Sequence, residues 1–211
     1  MVIMVHGLWM TGLEMTCLRR RLERAGFRTI RFAYSSITRT LEENSQRLFD
    51  FCRKTGERRV HFVCHSLGGI VLCHMLNNHE PGFSGRAVLL GSPLAGSRMA
   101  RILAAIPGGR LFTGRSMEGL IKGCPEWNRQ YEAGLIAGTF NLGTGLLLGG
   151  IGKPGDGVVL LTETRAEGIA QYTFVHANHI GLLFSRKAAE QTVCFLRTGD
   201  FQAYSQCPGD S

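Results

Sequence analysis

The chain has 211 residues, and its 24 Lys and Arg against 16 Asp and Glu give a formal net charge of +8. This length favours one domain that is large enough to bury most of its surface without metal or disulfide support. With 44% apolar and 19% charged residues, the composition excludes disordered, collagen-like and coiled-coil proteins. We therefore expect a single globular domain over residues 1–211.

Neither export nor membrane insertion is expected from the sequence. Residues 1–10 are apolar but lack the basic start and the cleavage site of a signal peptide. Residues 133–152 carry no charge, yet their glycines favour a buried strand running into a loop over a spanning helix. The seven cysteines form no Cys-x-x-Cys pair, which favours reduced core thiols. These features predict a soluble, cytoplasmic protein.

Apolar runs of strand length alternate with amphipathic segments of helix length. The predicted strands are residues 2–5, 29–34, 60–64, 87–90, 134–140 and 171–175. Two helices begin with a Thr-x-x-Glu capping signature, at Thr11 and Thr40, and the last helix begins at Ser185. This alternation predicts an α/β fold with a doubly wound, mostly parallel six-stranded sheet and helices on both faces.

One segment carries the strongest chemical signal, Cys64-His65-Ser66-Leu67-Gly68-Gly69, between a predicted buried strand and a helix. A sharp turn there would lift the Ser66 hydroxyl above the sheet edge, beside the free amides of a helix start. The segment resembles the Gly-x-Ser-x-Gly elbow of the α/β-hydrolase family, with Cys64 replacing the leading glycine. The resemblance implies a nucleophilic role for Ser66, and an ordinary serine at a helix start is the alternative.

The resemblance also implies an oxyanion hole and an acyl pocket. A His-Gly turn is expected after an early strand, and residues 6–9 read His-Gly-Leu-Trp. The amides of Leu8 and Leu67 would then bind the oxyanion, and His6 is expected to be structural. Trp9 and Met10, together with the leucines at 146–148, are the candidates for an acyl pocket, although ordinary core filling explains them equally well.

In this family the acid and the base follow the serine in chain order. Asp156 is the aspartate in the right interval, in a Gly-Asp-Gly turn that resembles the family's acid loop, and Glu163 is the reserve. His179, followed by Ile-Gly-Leu-Leu, resembles the family's base, whereas His176 is expected in a loop. His65 is explained by packing, and no metal site is expected.

The family resemblance covers nearly the whole chain and is closest to small lipases and GPI-inositol-deacylase-like hydrolases. It implies a small cap at about residues 97–131, with two short helices, and no cofactor. It also implies a serine esterase that acts on small-molecule or lipid esters through Ser66, Asp156 and His179. Acyl transfer on the same residues, or a catalytically silent binding protein, are the alternatives.

Further expectations concern the start of the chain and its charge. The antiparallel strand pair that opens larger hydrolases is not expected, because Met1 leads directly into the first strand. The cap arginines would draw the protein towards anionic lipid surfaces, whereas no motif supports nucleic-acid binding. These cap arginines are Arg98, Arg101, Arg110 and Arg115.

Overall fold

The computed structural model describes residues 1–143, 154–169 and 171–201. Its strands form one sheet in the order β2-β1-β3-β4-β5-β6, and all neighbouring strands run parallel. The strands are β1 (Val2–Val5), β2 (Thr29–Phe32), β3 (His61–His65), β4 (Arg86–Leu90), β5 (Glu132–Gly138) and β6 (Gln171–Val175). The predicted six-stranded α/β architecture is confirmed, and the sheet is entirely parallel within the described residues.

Helices cover both faces of this sheet. They are α1 (Thr16–Arg24), α2 (Leu41–Thr55), α3 (Leu67–Asn78), α4 (Arg98–Ala105), α5 (Arg110–Thr113), α6 (Met117–Lys122), α7 (Gly181–Phe184) and α8 (Arg186–Thr198). Side chains of α2, α3, α4 and α6 belong to one apolar cluster, and those of α1, α7 and α8 belong to the other. The sheet therefore separates two cores.

The strands alternate their side chains between these cores, because successive residues of a strand point to opposite faces. Along β1, Ile3 and Val5 enter the first core, whereas Val2 and Met4 enter the second. All four are buried, so the strand appears in the sequence as a continuous apolar run. This is typical of a parallel strand that is covered on both sides.

Local capping chemistry sets several helix ends. The Thr40 side chain accepts the amide of Glu43, the Glu43 carboxylate accepts the amide of Thr40, and Gly56 ends α2 in the left-handed conformation. Ser185 caps α8 as predicted. At the first predicted helix start, however, Glu14 accepts the amides of Thr11 and Gly12, and a 3₁₀ turn precedes α1 at Thr16. The main helix therefore begins later than predicted.

The segment between β4 and β5 contains three short helices, α4 to α6, where two were predicted. The predicted break at residues 107–109 separates α4 from α5. A further 3₁₀ turn at Gly114–Ser116 precedes α6, and Gly114 has a φ of 56°. Its missing side chain matters because a Cβ there would overlap the carbonyl oxygen of Ile37.

The prediction of reduced thiols is wrong for three of the described cysteines, Cys73, Cys124 and Cys194, which are disulfide-bonded. Cys73 on α3 and Cys124, just after α6, form a disulfide with a Cα–Cα separation of 6.3 Å. The bond cross-links α3 to the end of the α4–α6 segment. Sequence spacing could not reveal the pair, because the two residues lie 51 positions apart.

In the described part of the chain, none of the helices combines the length and the apolar character needed to cross a bilayer.

Candidate active site

The candidate site lies where the carboxyl ends of the parallel strands meet. In sheets of this kind, ligands bind at that edge, outside the ends of the strands. Leu8 follows β1, Ser66 follows β3, and His179 follows β6. Asp156 follows β5 in the chain, and its side chain contacts the His179 ring.

Ser66 occupies a strained turn between β3 and α3. Its φ of 53° and ψ of −122° make it one of two non-glycine residues with positive φ among those described. Such backbone strain persists only where the surroundings enforce it. Here the Ser66 amide donates to the carbonyl of Leu90 at 3.0 Å. The turn therefore holds Ser66 at the amino end of a twelve-residue helix.

The residues flanking Ser66 explain why this turn needs small side chains. A Cβ on Gly68 would overlap the carbonyl oxygen of Val5, so α3 could not approach β1 as closely. Cys64, which stands where the family has glycine, is fully buried and belongs to the core cluster that contains α2 and α3. The departure from the glycine pattern is thus accommodated by packing.

Asp156 and His179 form a buried pair. The Asp156 Oδ2 lies 2.7 Å from the His179 Nδ1, and the two side chains are only 2% and 8% exposed. The other carboxylate oxygen, Oδ1, accepts the amides of Val158 and Val159 at 3.0 and 2.8 Å. Because a carboxylate accepts hydrogen bonds, Nδ1 carries the proton and the Nε2 lone pair of neutral His179 remains available as a base.

Opposing effects set the pKa of Asp156. Burial alone would raise the pKa of this carboxyl. The charge and hydrogen bond of His179, together with the amides of Val159 and Val158, outweigh burial and lower the pKa below its ordinary value. Asp156 is therefore ionised at neutral pH, as an orienting group for an imidazole must be.

Gly91, directly after β4, leaves room for the side chains of Asp156 and His179 because it has no side chain of its own. Its φ is 57°, and a Cβ there would lie 3.0 Å from the Asp156 Oδ2 and 3.1 Å from the His179 Nδ1. This contact could not be inferred from the sequence. The only signal there was a glycine directly after the strand next to the one that leads to Ser66.

His65 also contacts the candidate base, a role that the sequence did not reveal. Its Nε2 lies 3.0 Å from the carbonyl oxygen of His179, and the two ring centroids are 4.6 Å apart. Burial, reinforced by the neighbouring His179, lowers the pKa of His65 to about 3. His65 is therefore neutral at physiological pH, with its proton on Nε2, because a carbonyl can only accept.

Two segments lie beside Ser66, the start of α3 and the turn after β1. Leu67 is the first residue of α3, so its amide has no acceptor within the helix. Gly7 packs onto the elbow, since a Cβ there would lie 3.1 Å from the Ser66 Cβ, and Leu8 follows it. The next amide, that of Trp9, donates to the Ser36 hydroxyl at 3.0 Å.

The other residues singled out in the sequence have different environments. The Trp9 side chain is 60% exposed and Met10 is half-buried. Residues 146–148 lie outside the described part of the chain. Among the described residues, the Ser66 hydroxyl makes no hydrogen bond to His179. The structure thus joins Asp156 to His179 directly and brings the neighbour of Ser66 into contact with the same histidine.

Glu163, the alternative candidate for the acid, accepts hydrogen bonds from backbone amides instead. Its carboxylate accepts the amide of Leu160 at 2.7 Å and the amide of Arg98 at the start of α4. Its carbonyl accepts the amide of Ala95 at 2.8 Å. Both carboxylate oxygens therefore bind backbone amides, one of them at the start of α4, and in this structure it is Asp156 that pairs with His179.

The sequence matches the model of the alpha/beta hydrolase family over residues 2–179. The chain belongs to the α/β-hydrolase family. The match begins in β1 and ends at His179, so it includes the elbow and both residues of the buried pair. A search of curated proteins found no significant match.

Solved structures of a lipase and of two esterases share this fold. The mature Bacillus licheniformis lipase BlEst2 superposes with a TM-score of 0.78 at 17% identity, covering 94% of this chain and 91% of that one. The carboxylesterase CesB from Bacillus subtilis gives 0.58 at 16% identity, with 94% and 83% covered. The metagenomic carboxyl esterase MGS0156 gives 0.69 at 14% identity, with 84% and 64% covered. At these identities the likeness concerns the fold.

Proposed function

We propose that this α/β hydrolase is a serine esterase that cleaves carboxylic esters through Ser66, Asp156 and His179. The observation that carries the proposal is the buried hydrogen bond between the Asp156 carboxylate and the His179 imidazole at 2.7 Å. It is supported by the strained turn at Ser66 and by the contact of His65 with the His179 carbonyl. A buried acid–imidazole pair beside a strained serine is the arrangement that activates a hydroxyl nucleophile.

The roles of the three residues follow from their protonation states. The neutral His179 takes the Ser66 proton on Nε2 while the Ser66 oxygen attacks the ester carbonyl carbon. Asp156 keeps the imidazole in the tautomer with Nδ1 protonated and stabilises the imidazolium that forms. His179 then protonates the leaving alcohol, which leaves Ser66 acylated. Water, deprotonated by the same histidine, releases the carboxylic acid.

The negative charge on the tetrahedral intermediate would be stabilised by two amides, those of Leu67 and Leu8. Leu67 supports this role because its amide stands at a helix start, where the dipole also favours negative charge. Loss of one such donor costs about 3–4 kcal/mol of transition-state stabilisation.

The substrate class is inferred from the exposed apolar side chains. Most large ones in the described residues lie in the segments that follow the carboxyl ends of the strands. They are Trp9, Leu13, Ile106, Leu111, Phe140, Leu142, Ile180 and Phe184. Trp9 directly follows Leu8 and Ile180 directly follows His179 in the chain, and exposed apolar side chains beside a site favour an apolar ligand. We therefore propose a lipid-like ester, with Trp9 and Met10 contacting the acyl chain.

The α4–α6 segment is proposed to act as a small cap that also contacts anionic lipid surfaces. Arg98 and Arg110 are exposed on it, beside the exposed apolar side chain of Leu111. Arg115 is paired with Glu43, so its charge is partly neutralised. Binding to anionic vesicles that weakens as salt is added would support this contact, since salt screens exposed charges.

The disulfide changes the expected location. The cytoplasmic prediction relied in part on reduced thiols, and the Cys73–Cys124 bond removes that part of its support. Disulfides persist mainly in oxidising compartments, so an oxidising compartment is the location that the bond favours. The likeness to the GPI-inositol-deacylase-like subgroup stays a prediction.

A fluorophosphonate probe tests the proposal. The enzyme should be labelled at Ser66, and Ser66→Ala should abolish both labelling and hydrolysis of p-nitrophenyl esters. Ser92→Ala is the matched control, because Ser92 is a buried serine after the neighbouring strand whose hydroxyl has no hydrogen-bond partner among the described residues. Labelling that persists in Ser66→Ala would refute the assignment. An unlabelled wild type would favour a silent binding protein, and product formation with an added alcohol would indicate acyl transfer.

A further inference from the structure

His65 is a buried titratable residue that the proposed mechanism does not use. It ends β3, immediately before Ser66, and none of its surface is exposed. Its Nε2–H donates to the carbonyl oxygen of His179 at 3.0 Å. Its Nδ1 faces Gly7 and has no hydrogen-bond partner among the described residues. The ring is thus held by one polar contact, which is made to the residue that carries the candidate base.

This contact spans a large part of the fold. His65 and His179 are 114 residues apart in the chain, and strands β4 and β5 lie between their strands in the sheet. Within the described residues, the hydrogen bond between the His65 ring and the His179 carbonyl is the one that joins β3 and α3 to the loop after β6. The remaining polar contacts of the His179 backbone and ring are to Asp156. Asp156 orients the imidazole, but it does not tie the histidine to the serine.

We propose that His65 is a positioning residue that fixes the distance between the Ser66 hydroxyl and the His179 imidazole by holding the His179 carbonyl. The inference rests on the proposed esterase function and deepens it. Because His65 is directly bonded to Ser66 in the chain, anything that anchors its ring to His179 also anchors the nucleophile to the base. The contact requires a proton on Nε2, and the buried, neutral ring supplies it in the Nε2–H tautomer.

Loss of the donor should affect the chemical step rather than binding. With the His179 carbonyl released, the imidazole would reach the Ser66 hydroxyl in fewer conformers, and misplacement by about 1 Å lowers rates by about 100-fold. We expect His65→Leu to reduce kcat about 10- to 100-fold and to change KM less than about threefold, since the acyl-binding surface is untouched. The rate of labelling by fluorophosphonate should fall in parallel with kcat.

The variants His65→Gln and His65→Asn distinguish the effect of the hydrogen-bond donor from the effect of ring packing. In His65→Gln the side-chain amide nitrogen lies as many bonds from the backbone as Nε2 does, so it can reach the carbonyl and should restore kcat to within about threefold of wild type. In His65→Asn the amide is one bond shorter and should behave like His65→Leu. The Gln–Asn comparison keeps the test valid if His65→Leu does not fold.

His61→Leu is the matched control on the same strand. His61 is also buried, and its Nδ1 accepts the amide of Arg86 at 3.1 Å, at the opposite end of β3. This variant should lose stability, measured by thermal unfolding, but should keep the wild-type kcat. An unfolding temperature that falls in both His61→Leu and His65→Leu, with kcat lost only in the second, would support positioning.

The outcomes are distinguishable. If the wild type is active and His65→Leu and His65→Asn both keep kcat within twofold, His65 has no positioning role. If His65→Gln is as slow as His65→Leu, ring packing rather than the donor matters, and the inference is wrong. If the wild type is neither labelled at Ser66 nor active on esters, the proposed function itself fails.

Discussion

Asp156 and His179 are hydrogen-bonded through their main chains as well as through their side chains. The His179 amide donates to the Asp156 carbonyl at 3.0 Å, in addition to the contact of 2.7 Å between Nδ1 and Oδ2. Two hydrogen bonds fix the imidazole plane relative to the carboxylate. The pair is therefore organised without a substrate, and in the proposed mechanism this preorganisation would lower the free energy of the transition state.

Asp156→Asn should reduce kcat for ester hydrolysis by about 10³- to 10⁴-fold, because an amide donor facing Nδ1 favours the wrong imidazole tautomer. KM should change much less, and the effect is measured by steady-state kinetics on a p-nitrophenyl ester. The control is Glu163→Gln, which weakens the contacts to the amides of Arg98 and Leu160 and should lower thermal stability while keeping kcat. The reverse pattern would transfer the acid role to Glu163.

Gly91→Ala should impair catalysis more than stability. The added Cβ would lie 3.0 Å from the Asp156 Oδ2 and 3.1 Å from the His179 Nδ1, so the pair must shift. We expect a loss of kcat of about 100-fold, the scale of a misplacement near 1 Å. The loss is measured by ester kinetics together with thermal unfolding.

Gly56→Ala provides the matched control for that prediction. Gly56 also has a positive φ, 66°, but a Cβ there would meet nothing within 4 Å. This variant should lose about 1 kcal/mol of stability from backbone strain and should keep its kcat. Equal activities of the Gly91→Ala and Gly56→Ala variants would show that the contact with the pair has no catalytic consequence.

Much of the fold followed from local chemistry that the sequence displays. Thr40, Glu43 and Gly56 define both ends of α2 through contacts within a few residues. The apolar run of β1 identified a strand covered on both faces. The start of α1 was less predictable, because Thr11 and Glu14 make part of a capping box but a 3₁₀ turn intervenes. Competing local hydrogen bonds decided that boundary.

The candidate site also contains some features that the sequence predicts and others that it does not. Chain order selected Asp156 and His179, and the structure pairs them. The contact between His65 and His179, and the space that Gly91 leaves, depend on how distant loops pack at the sheet edge. No periodicity or motif records such contacts. The Cys73–Cys124 bond escaped notice for the same reason, since only the packing of α3 against the residue after α6 brings the two together.

Reduction of the Cys73–Cys124 disulfide should destabilise the protein. The bond joins residues 51 positions apart and lowers the conformational entropy of the unfolded chain. In the chain-entropy model this raises the free energy of unfolding by about 4 kcal/mol. The double variant Cys73→Ala/Cys124→Ala should show a corresponding loss in the free energy of unfolding, measured by urea unfolding. Non-reducing peptide mapping should recover the linked pair from the wild type. Recovery of Cys73 and Cys124 themselves as free thiols from protein purified without reductant would contradict the bond.

Acid should destabilise the protein at a pH where carboxylates are still ionised. Burial, aided by the nearby His179, lowers the pKa of His65 to about 3, and burial lowers that of His61 to about 4. Both would titrate near pH 6.5 in the unfolded chain. Between pH 6.5 and these lowered values the unfolded chain binds protons that the folded protein does not, so stability falls as the pH falls.

Each histidine should contribute a slope of up to roughly 1.4 kcal/mol per pH unit to the free energy of unfolding in that window. Asp156 affects the free energy of unfolding only at lower pH. Because its pKa is lowered in the folded protein, its stabilising contribution is lost only as the pH falls below the pKa of an unfolded aspartate, about 3.9. Urea unfolding from pH 7.5 to 4.5 measures the slope. His65→Gln removes one titrating group and should therefore flatten the slope relative to wild type. An unchanged slope in that variant would mean that His65 is protonated in the folded protein, which is incompatible with its role as a neutral donor.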